Sequence, residues 1–119
     1  MLLGGFLGAG KTVFVKGVAA GLGVREEVLS PTFQLMREYK TASGAALYHI
    51  DAYRLKSAAE AVEAGLGEAI GAHLAVTCVE WYEHISELFC GMGVILVTIR
   101  TVGESEREIE ITRKTACNF

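Results

Sequence analysis

Residues 5–12 read Gly5-Phe6-Leu7-Gly8-Ala9-Gly10-Lys11-Thr12 and match the phosphate-binding pattern G-x-x-x-x-G-K-[ST]. The glycines let the backbone curl so that successive N–H groups point into one concavity, and the helix that follows adds the positive end of its dipole. In such a loop Lys11 contacts the β and γ oxygens of a nucleoside triphosphate, and the Thr12 hydroxyl ligates the accompanying Mg²⁺. The sequence therefore predicts a site for the phosphates of a nucleotide.

The sequence on either side of this loop predicts a helix after it and a very short strand before it. Apolar residues recur at helical spacing from Lys11 to about Leu22, and Gly21 and Gly23 suit the end of a helix. Only Met1-Leu2-Leu3 precedes the first glycines, whereas a strand normally spans about five residues. We therefore expect the first strand to be largely missing and the domain to be short at its amino terminus. The alternative is a chance match to the loop pattern in a chain with 14 glycines.

Strand-like and helix-like patterns alternate along the rest of the chain. The predicted elements are a hairpin at residues 33–39 and 45–53, a short capped helix at 57–65, a strand buried on both faces at 74–79, and a strand pair at 93–99 and 107–113. Hairpins together with a buried parallel strand indicate a mixed sheet. The sequence therefore predicts one domain, residues 1–119, with an α/β fold of the phosphate-loop NTPase type, in which a few helices flank the sheet.

The composition is that of a folded globular protein without a nucleic-acid-binding surface of its own. Hydrophobic residues make up 51% of the chain, charged residues make up 21%, and the formal net charge is -3. Such a chain lacks the basic field that nonspecific binding to nucleic acid requires, so we expect any link to RNA to run through a partner. The longest late apolar run, residues 94–99, is far too short to span a membrane.

The three cysteines, Cys78, Cys90 and Cys117, are widely spaced and include no C-x-x-C pair. This spacing fits neither a disulfide framework nor a zinc site. We therefore expect three reduced thiols, as in a cytosolic protein.

Two carboxylates are candidates for chemistry next to the loop. Glu80 follows the apolar run at 74–79, and the carboxyl end of such a strand lies beside the phosphate loop, where a second magnesium ligand is needed. Asp51 lies in the polar stretch 48–54 and is a candidate to orient a water molecule or to ligate the metal through water. The alternatives are a solvated residue at a strand end for Glu80 and an ordinary Asp51–Arg54 ion pair at the edge of the hairpin.

Four motifs, L-G-A-G-K-T, S-P-T-F, Y-H-I-D-A-Y-R-L and V-E-W, occur in this order between residues 5 and 81. In order and spacing they resemble the motifs of the TsaE (YjeE) family, the small ATPases of bacterial tRNA threonylcarbamoyladenosine formation. Beyond Trp81 the resemblance rests only on length and on the paired strands. The sequence departs from the family pattern in its short segment before the loop, in Phe6 where the family favours Asp, and in Tyr82 where proline commonly follows Trp.

The resemblance implies a cytoplasmic protein that binds ATP and Mg²⁺ and hydrolyses ATP slowly while it is bound to the TsaB and TsaD subunits. TsaD would carry the transferase site that modifies the tRNA, and this chain would be the accessory ATPase subunit. By position, the loop from Gly5 to Thr12 binds phosphate and includes Lys11 as a catalytic residue, while Thr12 and Glu80 hold magnesium. Thr32 and Asp51 lie in switch segments, and Asp51 is the candidate that activates water.

Two other functions stay open for a chain with this loop. The first is a non-hydrolysing scaffold that keeps the partner-binding surface after losing nucleotide. The second is a small-molecule kinase. Length argues against the kinase, because only short connections follow the switch-like segments and a kinase needs a lid and an acceptor pocket.

Overall fold

A mixed sheet of six strands organises the part of the chain that the computed structural model describes, residues 1–6, 9–31 and 34–117. The strands are β1 Leu2–Gly4, β2 Met36–Lys40, β3 Ala46–Asp51, β4 Ala75–Glu80, β5 Gly93–Thr101 and β6 Arg107–Thr115. The helices are α1 Lys11–Gly21, α2 Ala58–Glu63 and α3 Gly67–Ile70, and a 3₁₀ segment spans Tyr82–Phe89. The order across the sheet is β2-β3-β4-β1-β5-β6, which confirms the predicted α/β fold with a mixed sheet.

Strand β1 is short, as the sequence predicts, but it lies in the middle of the sheet. Leu2 and Leu3 pair in parallel with Val79 and Glu80 of β4 on one side and with β5 on the other. Both leucine side chains are fully buried, one in the core on each face of the sheet. A strand of three residues is sufficient here because both of its edges are paired and both of its faces are covered.

The four central strands of the sheet are parallel to one another, and the strand at each edge runs antiparallel to them. Strands β3, β4, β1 and β5 are parallel, whereas β2 pairs antiparallel with β3 and β6 pairs antiparallel with β5, which confirms both predicted hairpins. The first hairpin is shorter than predicted. Its second strand ends at Asp51, whose carboxylate accepts a hydrogen bond from Tyr53 N at 3.0 Å and so turns the chain. The second hairpin is longer than predicted and reaches Thr101 and Thr115.

Helices cover both faces of the sheet, and each face has its own core. The buried residues on the α1 face include Val15, Ala19, Leu3, Leu47, Cys78 and Val97. Those on the opposite face, under α2, α3 and the 3₁₀ segment, include Leu2, Ile50, Ala61, Leu66, Ile85 and Phe89. Because side chains alternate along a strand, His49 and Asp51 share the α1 face with Leu47, and Glu80 shares it with Cys78. The sheet therefore directs three polar side chains toward α1.

The helices after α1 are short, and two of these helical elements were not predicted. Neither α3 nor the 3₁₀ segment is long enough to show a regular helical repeat of apolar residues. Helix α2 has the predicted cap, in which the Ser57 hydroxyl accepts from Glu60 N at 3.2 Å. The Glu60 carboxylate accepts from Lys56 N at 3.1 Å, one residue before the position that a capping box predicts. None of the helices in the described residues is long and apolar enough to cross a membrane.

The expectation of three reduced thiols is wrong, because Cys90 and Cys117 form a disulfide whose Cα atoms are 5.0 Å apart. The two cysteines are 27 residues apart in sequence, and their spacing gives no sign of the contact. The fold creates it by placing the end of β6 against the end of the 3₁₀ segment, where Ala116 N donates to Met92 O at 2.9 Å. Cys78 is free and buried in the core under α1.

The buried thiol of Cys78 should make the protein less stable at alkaline pH. Burial raises the pKa of this thiol from 9.0 to about 11. Between these two values the unfolded chain loses the thiol proton while the folded chain keeps it, so the free energy of unfolding falls as pH rises, by about 2–3 kcal/mol across the interval. Urea denaturation at several pH values should show this fall in the wild type and a flatter profile in Cys78→Ala. Identical profiles for the two proteins would contradict the assignment.

Candidate active site at the carboxyl edge of the parallel strands

The candidate site lies where three parallel strands end and α1 begins. β1 ends at Gly4, β3 at Asp51 and β4 at Glu80, and these strands are neighbours in the parallel part of the sheet. The loop after β1 crosses this edge and leads into α1, which starts at Lys11. In open α/β sheets, ligands bind at the carboxyl ends of the strands. The residues predicted for the site therefore meet where such a fold places its ligand.

The described part of the phosphate loop depends on two glycines in the left-handed region of backbone space. Gly5 has φ 138° and Gly10, which caps α1, has φ 112°. Ala9 N donates to Phe6 O at 3.0 Å. Apart from its two neighbours in the chain, no atom of the described residues lies within 4 Å of the position where a Cβ on Gly10 would be, so space is open beside the start of the helix. Leu7 and Gly8, which complete the predicted loop, lie outside the described residues.

Gly5 should tolerate no side chain. A Cβ at this position would lie 2.5 Å from the carbonyl oxygen of Ile99, and φ 138° is strained for any L-residue. Gly5→Ala should therefore lower the free energy of unfolding by about 1–3 kcal/mol in urea denaturation. Gly17→Ala, in the middle of α1 with open space around it, is the matched control and should raise stability by about 0.5–1 kcal/mol. Equal effects of the two substitutions would contradict the role given to Gly5.

Lys11 carries a buried cation at the start of α1. The residue is 4% exposed, and its Nζ lies 3.7 Å from the centre of the Trp81 ring. Nζ is buried and has no hydrogen-bond partner in residues 1–6, 9–31 and 34–117. Burial lowers the pKa of Lys11, and the charges of Glu80, Glu83 and Asp51 oppose this effect. A buried ammonium group without hydrogen bonds is costly, and an anion within hydrogen-bond distance would complement it.

Glu80 connects Thr12 at the start of α1 to His49 in the sheet. The Thr12 hydroxyl donates to the two oxygens of the Glu80 carboxylate at 3.1 and 3.3 Å. His49 Nε2 lies 2.5 Å from Oε2 of Glu80, and the histidine is fully buried. His49 Nδ1 has no partner within the described part of the chain, so Nε2 is the ring nitrogen that can donate a hydrogen bond to Glu80. The hydrogen bond from His49 therefore fixes the Glu80 carboxylate against Thr12.

A hydroxyl and a carboxylate held together in this way fit a magnesium ion. Mg²⁺ takes few ligands from the protein and completes its octahedron with water and substrate phosphates. In phosphate-loop proteins the protein ligands are the Ser or Thr of the loop and an acidic residue at the end of a neighbouring strand. Thr12 and Glu80 have these chemical types and are in contact.

Asp51 lies beside Glu80 across the sheet. The strand register pairs Asp51 of β3 with Glu80 of β4. Its carboxylate accepts a hydrogen bond from Tyr53 N, which restricts its orientation. The negative charge of Asp51 raises the pKa of Lys11 and so opposes the lowering by burial. Asp51 thus lies within electrostatic reach of Lys11, at the edge where the loop begins the helix.

The structure brings together the predicted residues Lys11, Thr12, Asp51 and Glu80. The other described residues of the predicted loop, Gly5, Phe6, Ala9 and Gly10, lie between the end of β1 and the start of α1, and the Phe6 side chain is 88% exposed. Thr32, the remaining predicted residue, lies outside the described residues.

Three further residues at the site were not assigned a role from the sequence. His49 contacts Glu80, Trp81 lies against the Lys11 ammonium, and Arg107 Nε donates to Ala9 O at 3.1 Å. His49 had a weak signal, because it is two residues from Asp51 and therefore on the same face of the strand. Arg107 is 98 residues from Ala9 in sequence and had no local signal.

Most of the chain is similar to proteins of one family. The family model "Threonylcarbamoyl adenosine biosynthesis protein TsaE" matches residues 1–109. The tRNA threonylcarbamoyladenosine biosynthesis protein TsaE of Treponema pallidum is 39% identical over 112 residues, which cover 93% of this chain and 79% of that protein. The protein of the same name from Bacillus subtilis is 40% identical over 112 residues, which cover 94% of this chain and 68% of that protein.

A solved structure has the same fold. The crystal structure of Bacillus subtilis YdiB matches this structure with a TM-score of 0.73, at 33% sequence identity. The match covers 97% of this chain and 67% of that one. The sequence motifs, the family model and the shared fold agree, and the chain belongs to the TsaE family.

Proposed function

We propose that this protein is a single-domain ATPase, residues 1–119, that binds Mg-ATP where α1 meets the ends of β3 and β4 and hydrolyses ATP slowly. The observation that carries this proposal is the Lys11 ammonium, which is buried without a hydrogen-bond partner in the described residues at the start of the helix that Gly10 caps. A site of this kind is stabilised by an anion. Thr12 and Glu80 are in contact and have the chemical types of magnesium ligands, which supports binding of the anion together with Mg²⁺.

Each residue has a distinct role in this proposal. The backbone of the loop from Gly5 to Thr12 and the Lys11 ammonium bind the phosphates, and Lys11 stabilises charge on the transferred group. Thr12 and Glu80 hold the magnesium ion, and His49 positions Glu80 through their hydrogen bond. When bound, Mg²⁺ would neutralise part of the negative charge of the phosphates.

Asp51 is the residue we propose to orient the attacking water. Its carboxylate is held by Tyr53 N and lies next to Glu80, so it is close to the expected position of the phosphates. Thr32, by its place in the sequence motif, belongs to a switch segment that contacts nucleotide.

The names of the relatives support a role in tRNA modification. Proteins with 39% and 40% identity are named tRNA threonylcarbamoyladenosine biosynthesis proteins. We propose that this chain acts in the cytoplasm as the accessory subunit of the complex that contains TsaB and TsaD. The net charge of -3 supports an indirect link to tRNA, through TsaD rather than through this chain.

The proposal is tested by reconstituting tRNA modification with TsaB and TsaD. Addition of this protein with Mg-ATP should support repeated rounds of threonylcarbamoyl transfer and should release phosphate. Binding to TsaD that does not depend on ATP, without phosphate release, would contradict it and favour the scaffold. Phosphoryl transfer to a nucleoside or sugar would contradict it and favour the kinase.

A further inference from the structure

The β5–β6 hairpin contacts the phosphate loop at two points. At the first, the backbone of Gly5 lies so close to β5 that a Cβ on it would be 2.5 Å from the carbonyl oxygen of Ile99. At the second, Arg107, the first residue of β6, donates from Nε to the carbonyl oxygen of Ala9 at 3.1 Å. Ala9 is followed by Gly10, the cap of α1. The second contact therefore lies directly before the helix that begins the candidate site.

The connection between β5 and β6 holds the Arg107 guanidinium in place. Its Nη1 donates to the carbonyl oxygen of Glu106 at 2.9 Å and, at the longer distance of 3.5 Å, to that of Gly103. The ends of the connection are joined as well, because Val102 N donates to Glu106 O at 3.2 Å. A guanidinium is planar and carries its donors in a fixed geometry, so the bonds of Nη1 also orient Nε. The hairpin therefore sets the direction of the donor that Arg107 offers to Ala9.

The hydrogen bond to Ala9 O fixes the direction of the next amide in the loop. The Ala9–Gly10 peptide bond is trans, so the Gly10 N–H points in the opposite direction to the Ala9 carbonyl, away from Arg107. Glycine restricts its own backbone least of all residues, so a contact from outside the loop selects one orientation of this peptide. A positively charged donor on the carbonyl also polarises the peptide and strengthens its N–H as a donor. Arg107 thus orients an amide at the point where a phosphate loop presents its N–H groups.

We propose that Arg107 is a positioning residue of the phosphate loop, which acts through the Ala9–Gly10 peptide and directs the Gly10 N–H toward the phosphates. The inference rests on the proposed function, since it needs phosphates at the loop. Arg107 is 98 residues from Ala9 and is not part of the loop motif. The β5–β6 hairpin thus contributes to phosphate affinity through this one side chain.

Isothermal titration calorimetry with inorganic tripolyphosphate and magnesium, and with Mg-ATP, measures this contribution. Arg107→Met keeps an unbranched side chain but removes the donors, and it should lose about tenfold in affinity for both ligands, because the loop binds the phosphates of both. Arg107→Lys should recover most of this loss, since its Nζ lies one bond beyond the position of Nε and can donate to Ala9 O. Arg113→Met is the matched control. It removes the same charge from the same face of β6, about 20 Å further along the strand, and should bind as the wild type does.

Nuclear magnetic resonance of the protein labelled with ¹⁵N-glycine tests the positioning directly, without ligand. The Gly10 amide resonance should move in Arg107→Met and return toward its wild-type position in Arg107→Lys. The resonances of Gly65 and Gly71, in the helical segments on the other face of the sheet, should not move in either variant. A general loss of stability would not change Gly10 selectively.

The outcomes separate this inference from the proposed function. Unchanged tripolyphosphate affinity in Arg107→Met, an equal loss in Arg113→Met, or no recovery in Arg107→Lys would each overturn the inference and leave the proposed function standing. A Gly10 resonance that does not respond to Arg107→Met would overturn the inference as well. Failure of the wild type to bind either ligand would instead overturn the proposed function.

Discussion

Replacing Lys11 by methionine should abolish ATP hydrolysis while leaving the nucleotide-free protein at least as stable as the wild type. In the free protein the ammonium is buried, its pKa is lowered by burial, and its Nζ has no hydrogen-bond partner in the described residues. Methionine has a similar length, removes the buried charge, and still packs against the Trp81 ring. With nucleotide, the same change would remove the cation that we propose binds the phosphates, so hydrolysis should fall by about 10²–10³-fold.

The opposite signs of the two effects make this substitution informative. Phosphate release measures the loss of hydrolysis, and urea denaturation without nucleotide measures stability. Lys16→Met is the matched control, because Lys16 is an exposed lysine on the same helix. A Lys11→Met protein that still hydrolyses ATP at the wild-type rate would contradict the account. If Lys11→Met unfolded the nucleotide-free protein, this result would contradict the interpretation that the buried ammonium destabilises the protein until an anion binds.

Glu80→Gln should be the second most damaging change, with a loss of about 10²-fold in hydrolysis and a higher requirement for magnesium. Glutamine has nearly the same shape as glutamate but lacks the negative charge that would face the metal. It also changes the partner of the His49 Nε2–H and of the Thr12 hydroxyl, which both bond to the carboxylate. The substitution would therefore alter both the position and the charge of the proposed metal ligand.

Magnesium titrations of phosphate release measure this effect. Glu83→Gln provides the control, since Glu83 is exposed and near Lys11, whereas the hydrogen bonds of the Thr12 hydroxyl go to Glu80. The control should keep the magnesium dependence of the wild type. An unchanged magnesium requirement in Glu80→Gln would show that the metal is held elsewhere.

The fold was predictable because local patterns in this chain agree with its architecture. The phosphate-loop motif, the apolar run before Glu80 and the two hairpin patterns are each local, and together they specify a mixed sheet with a loop at its carboxyl edge. The same logic placed Glu80 near Thr12, and in the structure the two side chains are in contact across 68 residues of sequence. Their roles as magnesium ligands stay predictions.

The features that sequence did not reveal are contacts between distant segments. The Cys90–Cys117 disulfide and the hydrogen bond from Arg107 to Ala9 both depend on where the β5–β6 hairpin lies, and no local pattern encodes that position. The central place of β1 was hidden for a related reason. A strand of three residues is too short to be recognised by itself, and it forms because β4 and β5 supply partners on both sides.

The most direct test of the central claim is the binding of Mg-ATP to the wild-type protein, measured as the rise in its melting temperature. If the loop and Lys11 form a competent site, ATP at one hundred times its dissociation constant should add about 2.7 kcal/mol to the free energy of unfolding and raise the midpoint accordingly. The rise should require magnesium and should be absent from Lys11→Met. A melting temperature that does not change at any ATP concentration would contradict the claim that this edge of the sheet binds nucleotide.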